Sequence, residues 1–109
     1  MVFIKVATTD EIRPGGMKAF NIEGKDILLA GYEGSYYAID NKCTHMNGDL
    51  SKGKLEGKIV ICPRHKSKFD ITTGKVISGP KMPFIHPKIA DEPSYKVKVE
   101  GNVLLLKTE

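Results

Sequence analysis

The chain contains two cysteines, and each has a histidine close behind it. Cys43-Thr44-His45 has C-x-H spacing, Cys62-Pro63-Arg64-His65 has C-x-x-H spacing, and sixteen residues separate His45 from Cys62. Thiolate and imidazole are soft to borderline donors. Four of them in a small volume suit zinc or an iron-sulfur centre and suit calcium or magnesium poorly. A Cys43–Cys62 disulfide is the other reading of two cysteines, and a reducing compartment disfavours it.

For the four side chains to meet, the sixteen intervening residues must fold back on themselves. A hairpin turning near Glu56-Gly57 does this, because it sets the two Cys-His loops side by side at one end of a sheet. The rest of the chain has the same rhythm. Short apolar runs rich in β-formers ("VFIKVA", "MKAFNIEG", "DILLAGY", "SYYAID", "KIVIC", "KFDI", "KVI", "YKVKVEG", "NVLLLK") alternate with polar turns, and no helical stripe competes with them. Glycine sits between extended runs at Gly34, Gly57, Gly74 and Gly101, where reversing the chain calls for a positive φ. The expected fold is therefore all-β, a small antiparallel β-sandwich or barrel, with one short helical turn in "TTDEIRPGG". Three stretches break the rhythm: "CTHMNGDLSKG", "CPRHKS" and "SGPKMPFIHPKIADEPS". The last has prolines at 80, 83, 87 and 93, which cannot donate to a sheet ladder, so it reads as a loop that covers something.

The C-x-H and C-x-x-H loops, sixteen residues apart, together with "HKSKFD", "TTGKV" and "SGP", resemble the Rieske family. The likeness runs over most of the chain and is strongest from Cys43 to Pro80. It implies one 2Fe-2S cluster in a single domain spanning residues 1–109, with the cluster-binding part at about 40–80. By resemblance, Cys43 and Cys62 bind the inner iron and His45 and His65 the outer one. Ser67 is then placed to donate toward a sulfide, and Pro80 begins the shielding loop. Rieske proteins of respiratory and photosynthetic complexes add a disulfide between the two loops and a tyrosine four residues past the second histidine. This chain has no third cysteine, and Phe69 stands at the tyrosine position. It is closer to the soluble Rieske-type ferredoxins.

Charge explains the use of two histidines. Two ferric ions, two sulfides and two thiolates sum to zero, so reduction starts from a neutral site. This places Rieske centres at about −150 to +300 mV, against roughly −400 mV for all-cysteine plant-type clusters. The missing tyrosine hydroxyl removes one donor that would stabilise the reduced state, so the expected potential is near or below zero. Added negative charge beside imidazole raises its proton affinity, so the potential should fall as pH rises.

Between Lys42 and Lys88 the chain carries ten basic residues against three acidic ones, while the remainder is net acidic. Arg64, Lys66 and Lys68 flank His65 and are expected to dock an acidic protein partner. Nucleic acid is disfavoured, because no aromatic platform is interleaved with these lysines. The resemblance implies a one-electron carrier between a reductase and a terminal oxygenase or other acceptor, and not an enzyme. Once the cluster takes two histidines only His86 remains, too few for the two-histidine, one-carboxylate iron site of an oxygenase. The alternatives are the electron-transfer subunit of a larger reductase, such as a nitrite reductase, and a zinc-stabilised interaction domain. Zinc fingers pair Cys with Cys and His with His locally, whereas here they alternate. No apolar stretch is long enough for a membrane span and the N-terminus lacks a secretory pattern, so the cytoplasm is the expected location.

Overall fold

The computed structural model describes residues 3–44, 48–82, 84 and 88–107. Among the described residues, ten strands form two antiparallel sheets. The larger contains β1 (Ile4–Thr8), β2 (Met17–Ile22), β3 (Lys25–Tyr32), β4 (Ser35–Asp40), β9 (Ser94–Glu100) and β10 (Val103–Lys107), in the order β1-β10-β9-β4-β3-β2. The smaller contains β5 (Lys54–Glu56), β6 (Ile59–Ile61), β7 (Lys68–Asp70) and β8 (Val76–Ser78), in sequence order. The expected all-β class holds, and one sheet curls into a nearly closed barrel.

The expected glycine turns are present. Gly34, Gly57, Gly74 and Gly101 all have positive φ. The helical turn in "TTDEIRPGG" is a 3-10 turn at Thr9–Glu11, and the Glu11 carboxylate accepts the Thr8 N–H at 2.8 Å. A second 3-10 turn, Leu50–Lys52, was not expected, and neither was β5 as a separate strand. At three residues, β5 is too short to show alternation.

Two apolar cores share one wall. In β3 the run Ile27-Leu28-Leu29-Ala30 is buried throughout. Successive side chains on a strand point to opposite faces. Ile27 and Leu29 accordingly join Ala7, Ile12, Leu104 and Leu106 inside the barrel. Leu28 and Ala30 join Cys43, Leu50, Val60, Cys62, Phe69 and Ile71 on the other side. β4 does the same, with Ala38 in the barrel core and Ile39 in the second core.

Candidate metal centre

The smaller sheet brings the two Cys-His loops together as the hairpin reading requires. β5 pairs with β6 in the register Lys54↔Ile61, Leu55↔Val60, Glu56↔Ile59, and β6 pairs with β7 from Ile61↔Lys68 onward. Residues 62–67 are therefore the loop of the β6–β7 hairpin. That loop closes on itself, with Cys62 N–H donating to Ser67 C=O at 2.8 Å and Lys66 N–H to Cys62 C=O at 3.1 Å. The tight closure holds Lys66 in the left-handed region, at φ 67°.

The first loop leaves β4 and is pinned at its neck. Buried Asn41 accepts Ser51 N–H on its side-chain oxygen at 2.8 Å, and its amide donates to the Asp26 carboxylate at 3.1 Å. Lys42 bridges Asp49 and Asp26. Cys43 N–H donates to Gly48 C=O at 2.7 Å. A Cβ on Gly48 would lie 3.0 Å from Cys62 Sγ and 3.2 Å from the Arg64 side chain, so the absence of a side chain there lets the loops approach.

Cys43 and Cys62 are both buried, and no disulfide joins them. His65 is half-buried in the second loop. His45 lies outside the described residues, as do Pro83, His86 and Pro87. Ser67 is fully buried, and its Oγ has no hydrogen-bond partner among the described residues. Phe69 is fully buried on β7 in the same core as both cysteines, so the position where a tyrosine hydroxyl would stand is apolar.

The proline-rich stretch touches both loops. Pro80 is buried, and next to it Lys81 N–H donates to His65 C=O at 2.6 Å. At the far end, Thr44 donates its backbone N–H to Glu92 Oε2 at 3.1 Å and its hydroxyl to Ala90 C=O at 2.6 Å. Glu92 is only 3% exposed. Burial pushes its carboxyl up to about 8, with the Thr44 N–H opposing and the Asp40 charge reinforcing the rise. Sequence reading missed Glu92, Asn41 and Gly48. The Thr44–Glu92 contact spans 48 residues, and no local pattern in "ADEPS" marks it.

The basic segment divides into paired and unpaired charges. Lys42, Lys52 and Lys58 are engaged with Asp26, Asp49 and Asp70. Lys54, Lys66, Lys68 and Lys81 form no ion pair among the described residues. With Lys52 they line a groove of about 660 Å³ whose wall includes Cys62 and Pro63. Lys66 and Lys68 thus share one surface. Arg64 does not line it, and its aliphatic stem lies against Gly48.

Two short loops, one leaving β4 and one joining β6 to β7, each deliver a buried thiol, which places the chain in the class of all-β proteins with a candidate metal site. The chain belongs to the Rieske family, whose Rieske [2Fe-2S] domain matches residues 2–101. It is 37% identical over 107 residues to the ferredoxin component of the naphthalene 1,2-dioxygenase/salicylate 5-hydroxylase systems of Ralstonia sp., covering 98% of this chain and 96% of that protein. In structure it is similar to the ferredoxin of carbazole 1,9a-dioxygenase from Nocardioides aromaticivorans IC177, with TM-score 0.83, 29% identity and full coverage of both chains. It is also similar to a chain in the complex of reduced oxygenase and oxidized ferredoxin in carbazole 1,9a-dioxygenase, with TM-score 0.85, 25% identity and coverage of 98% of this chain and 94% of that one.

The cofactor of this family is one 2Fe-2S cluster. The residues present fit it. Two buried thiols stand in facing loops, a side chain at Gly48 would crowd one of them, and a buried hydroxyl with no partner among the described residues lies in the second loop.

Proposed function

We propose that the chain is a Rieske-type ferredoxin that takes single electrons from a reductase and passes them to a terminal oxygenase. The observation that carries this reading is the pair of buried cysteines in facing loops, in a chain that a dioxygenase ferredoxin component matches almost end to end. The oxygenase–ferredoxin complex among its structural neighbours supports the class of acceptor. The chain acts as one functional unit over residues 1–109. Its cluster-binding part at about 40–80 is supplemented by the wall strand β3 and by Ala90–Glu92. It works in the cytoplasm and converts no substrate of its own.

When bound, the 2Fe-2S cluster supplies a reversible one-electron couple. Cys43 and Cys62 would hold it as thiolates, and His45 and His65 would complete the set from the same two loops. Ser67 Oγ would donate to a sulfur, which favours the more negative reduced state. Phe69 offers no such donor and holds the potential down. Leu28, Leu50, Phe69 and buried Pro80 exclude water from the cysteine side. Lys66 and Lys68 draw in an acidic partner, while Arg64 of the same second loop turns toward Gly48.

The deciding experiment is the low-temperature electron paramagnetic resonance spectrum of dithionite-reduced protein, together with iron and sulfide analysis. A rhombic signal with average g below that of all-cysteine clusters is expected. Colourless protein with stoichiometric zinc would overturn the reading, and stable assembly with a large catalytic subunit would favour a reductase subunit instead. For docking, Lys66→Glu with Lys68→Glu should slow electron exchange with an acidic oxygenase or reductase and flatten its dependence on ionic strength. A rate indifferent to salt in the unsubstituted protein would count against this face.

A further inference from the structure

Thr44 stands between the two metal-binding positions of the first loop, yet both of its polar groups are committed to a segment that closes the proline-rich stretch. Its N–H goes to Glu92 Oε2 at 3.1 Å and its hydroxyl to Ala90 C=O at 2.6 Å. The segment is itself tied on every side. Glu92 N–H donates to Gly74 C=O at 2.7 Å, Val76 N–H to the Asp91 carboxylate at 2.9 Å, and Asp40 N–H to Pro93 C=O at 3.0 Å. A Cβ on Gly74 would lie 2.1 Å from Glu92 C=O, so the β7–β8 turn and the segment approach as closely as glycine permits.

Glu92 is expensive where it sits. The side chain is buried, and its Oε1 has no hydrogen-bond partner among the described residues. A buried polar atom left unsatisfied costs stability, and an apolar side chain of similar volume would avoid that cost. The second oxygen has one visible task, to hold the Thr44 N–H. Once committed to Glu92, that N–H is not available to a sulfur. Hydrogen bonds to ligand sulfur are a main control on both the affinity and the potential of an iron-sulfur site.

We propose that Glu92 is a positioning residue for the cluster: acting through Thr44, it fixes the backbone between Cys43 and His45 and withholds one N–H donor from the sulfurs. The inference rests on the ligand assignment above. Failure of that assignment would appear as unsubstituted protein that binds no iron, whereas failure of this inference would appear only among variants of an iron-loaded protein.

The test compares Glu92→Gln, which keeps an acceptor of the same shape, with Glu92→Met, which keeps the volume and removes the acceptor. Both are purified with iron loaded. Their midpoint potential, the spectrum of the reduced state and the rate of iron loss to a chelator are measured beside thermal unfolding. Glu92→Met should lose iron roughly fivefold faster, the effect of one typical hydrogen bond, and should shift both the potential and the spectrum. Glu92→Gln should restore all three toward the original values. A purely packing role predicts that Glu92→Met keeps the original potential, spectrum and iron retention, and that result overturns the proposal. Thr44→Val keeps the Glu92 bond and removes only the bond to Ala90. It should therefore leave the potential and the spectrum at their original values, and a shift in either would assign the loop's position to the Ala90 bond and overturn the proposal even if Glu92→Met does not fold.

Discussion

The two cores of this small protein are built by different means. The barrel core is lined by strands of five to eight residues, with tight turns joining β2 to β3, β3 to β4 and β9 to β10, and its buried members are all apolar. The cluster side uses four strands of three residues each. Among the described residues, the buried polar residues Asn41, Ser67, Asp70 and Glu92 all lie in its loops, in its strands or on the segment that closes over it. The barrel is held by burial, which is non-directional and tolerant of exchange. The cluster side has an apolar core of its own and adds directional hydrogen bonds that fix where two loops stand, and each bond left unmade carries its own cost. Both faces of the shared wall are stabilised by burial, and positioning by buried polar groups is concentrated on one of them.

The sharpest way to separate the two sides is Cys62→Ser. It should abolish iron retention and visible colour while leaving the β-sheet circular dichroism of the barrel in place. Loss of both together would mean that the halves fold as one unit conditional on metal. Leu29→Ala makes the opposite cut. Leu29 is fully buried in the barrel core, so the change should cost about 3 kcal/mol in urea unfolding and leave the midpoint potential unmoved.

The next effect is one of pH. Glu92 is raised from an ordinary value of 4.5 to about 8, so between those values the folded protein holds a proton that the unfolded chain has released. Its contribution must therefore weaken stability progressively as pH rises through that window and level off above it. Urea midpoints should show the decline, and Glu92→Gln should flatten it. A stability that rises from pH 5 to 8, with Glu92→Gln following the same curve, would remove this account.

The smallest expected change is Phe69→Tyr. If the new hydroxyl reaches a ligand sulfur, about 1 kcal/mol of preference for the reduced state raises the one-electron potential by roughly 40 mV. An unchanged potential would show that the hydroxyl finds no sulfur from β7.

Legibility in the sequence follows the same division. The glycine turns and apolar runs of the barrel are local, so β1 to β4, β9 and β10 could be read directly. The cysteine and histidine spacing, and the hairpin that brings its halves together, were equally local. Contacts made at a distance could not be read. Nothing near Thr44 points to Ala90 and Glu92, and nothing near Lys42 distinguishes its engagement with Asp26 and Asp49 from Lys66, which forms no ion pair among the described residues. β5 was too short to register as its own run, although the turn at Gly57 implied a partner for β6. Arg64 looked equivalent to Lys66 and Lys68 by sequence position, and only the fold of the second loop sends it toward Gly48.

The doubly buried β3 sets a limit on protein engineering. Leu28 and Ala30 floor the half that holds both cysteines while Ile27 and Leu29 floor the other, so the two cysteine loops cannot be cut out and transplanted as a cassette. A graft of those loops onto a foreign scaffold would arrive without its floor, and it would have to bring the wall strand along to keep water from the thiols.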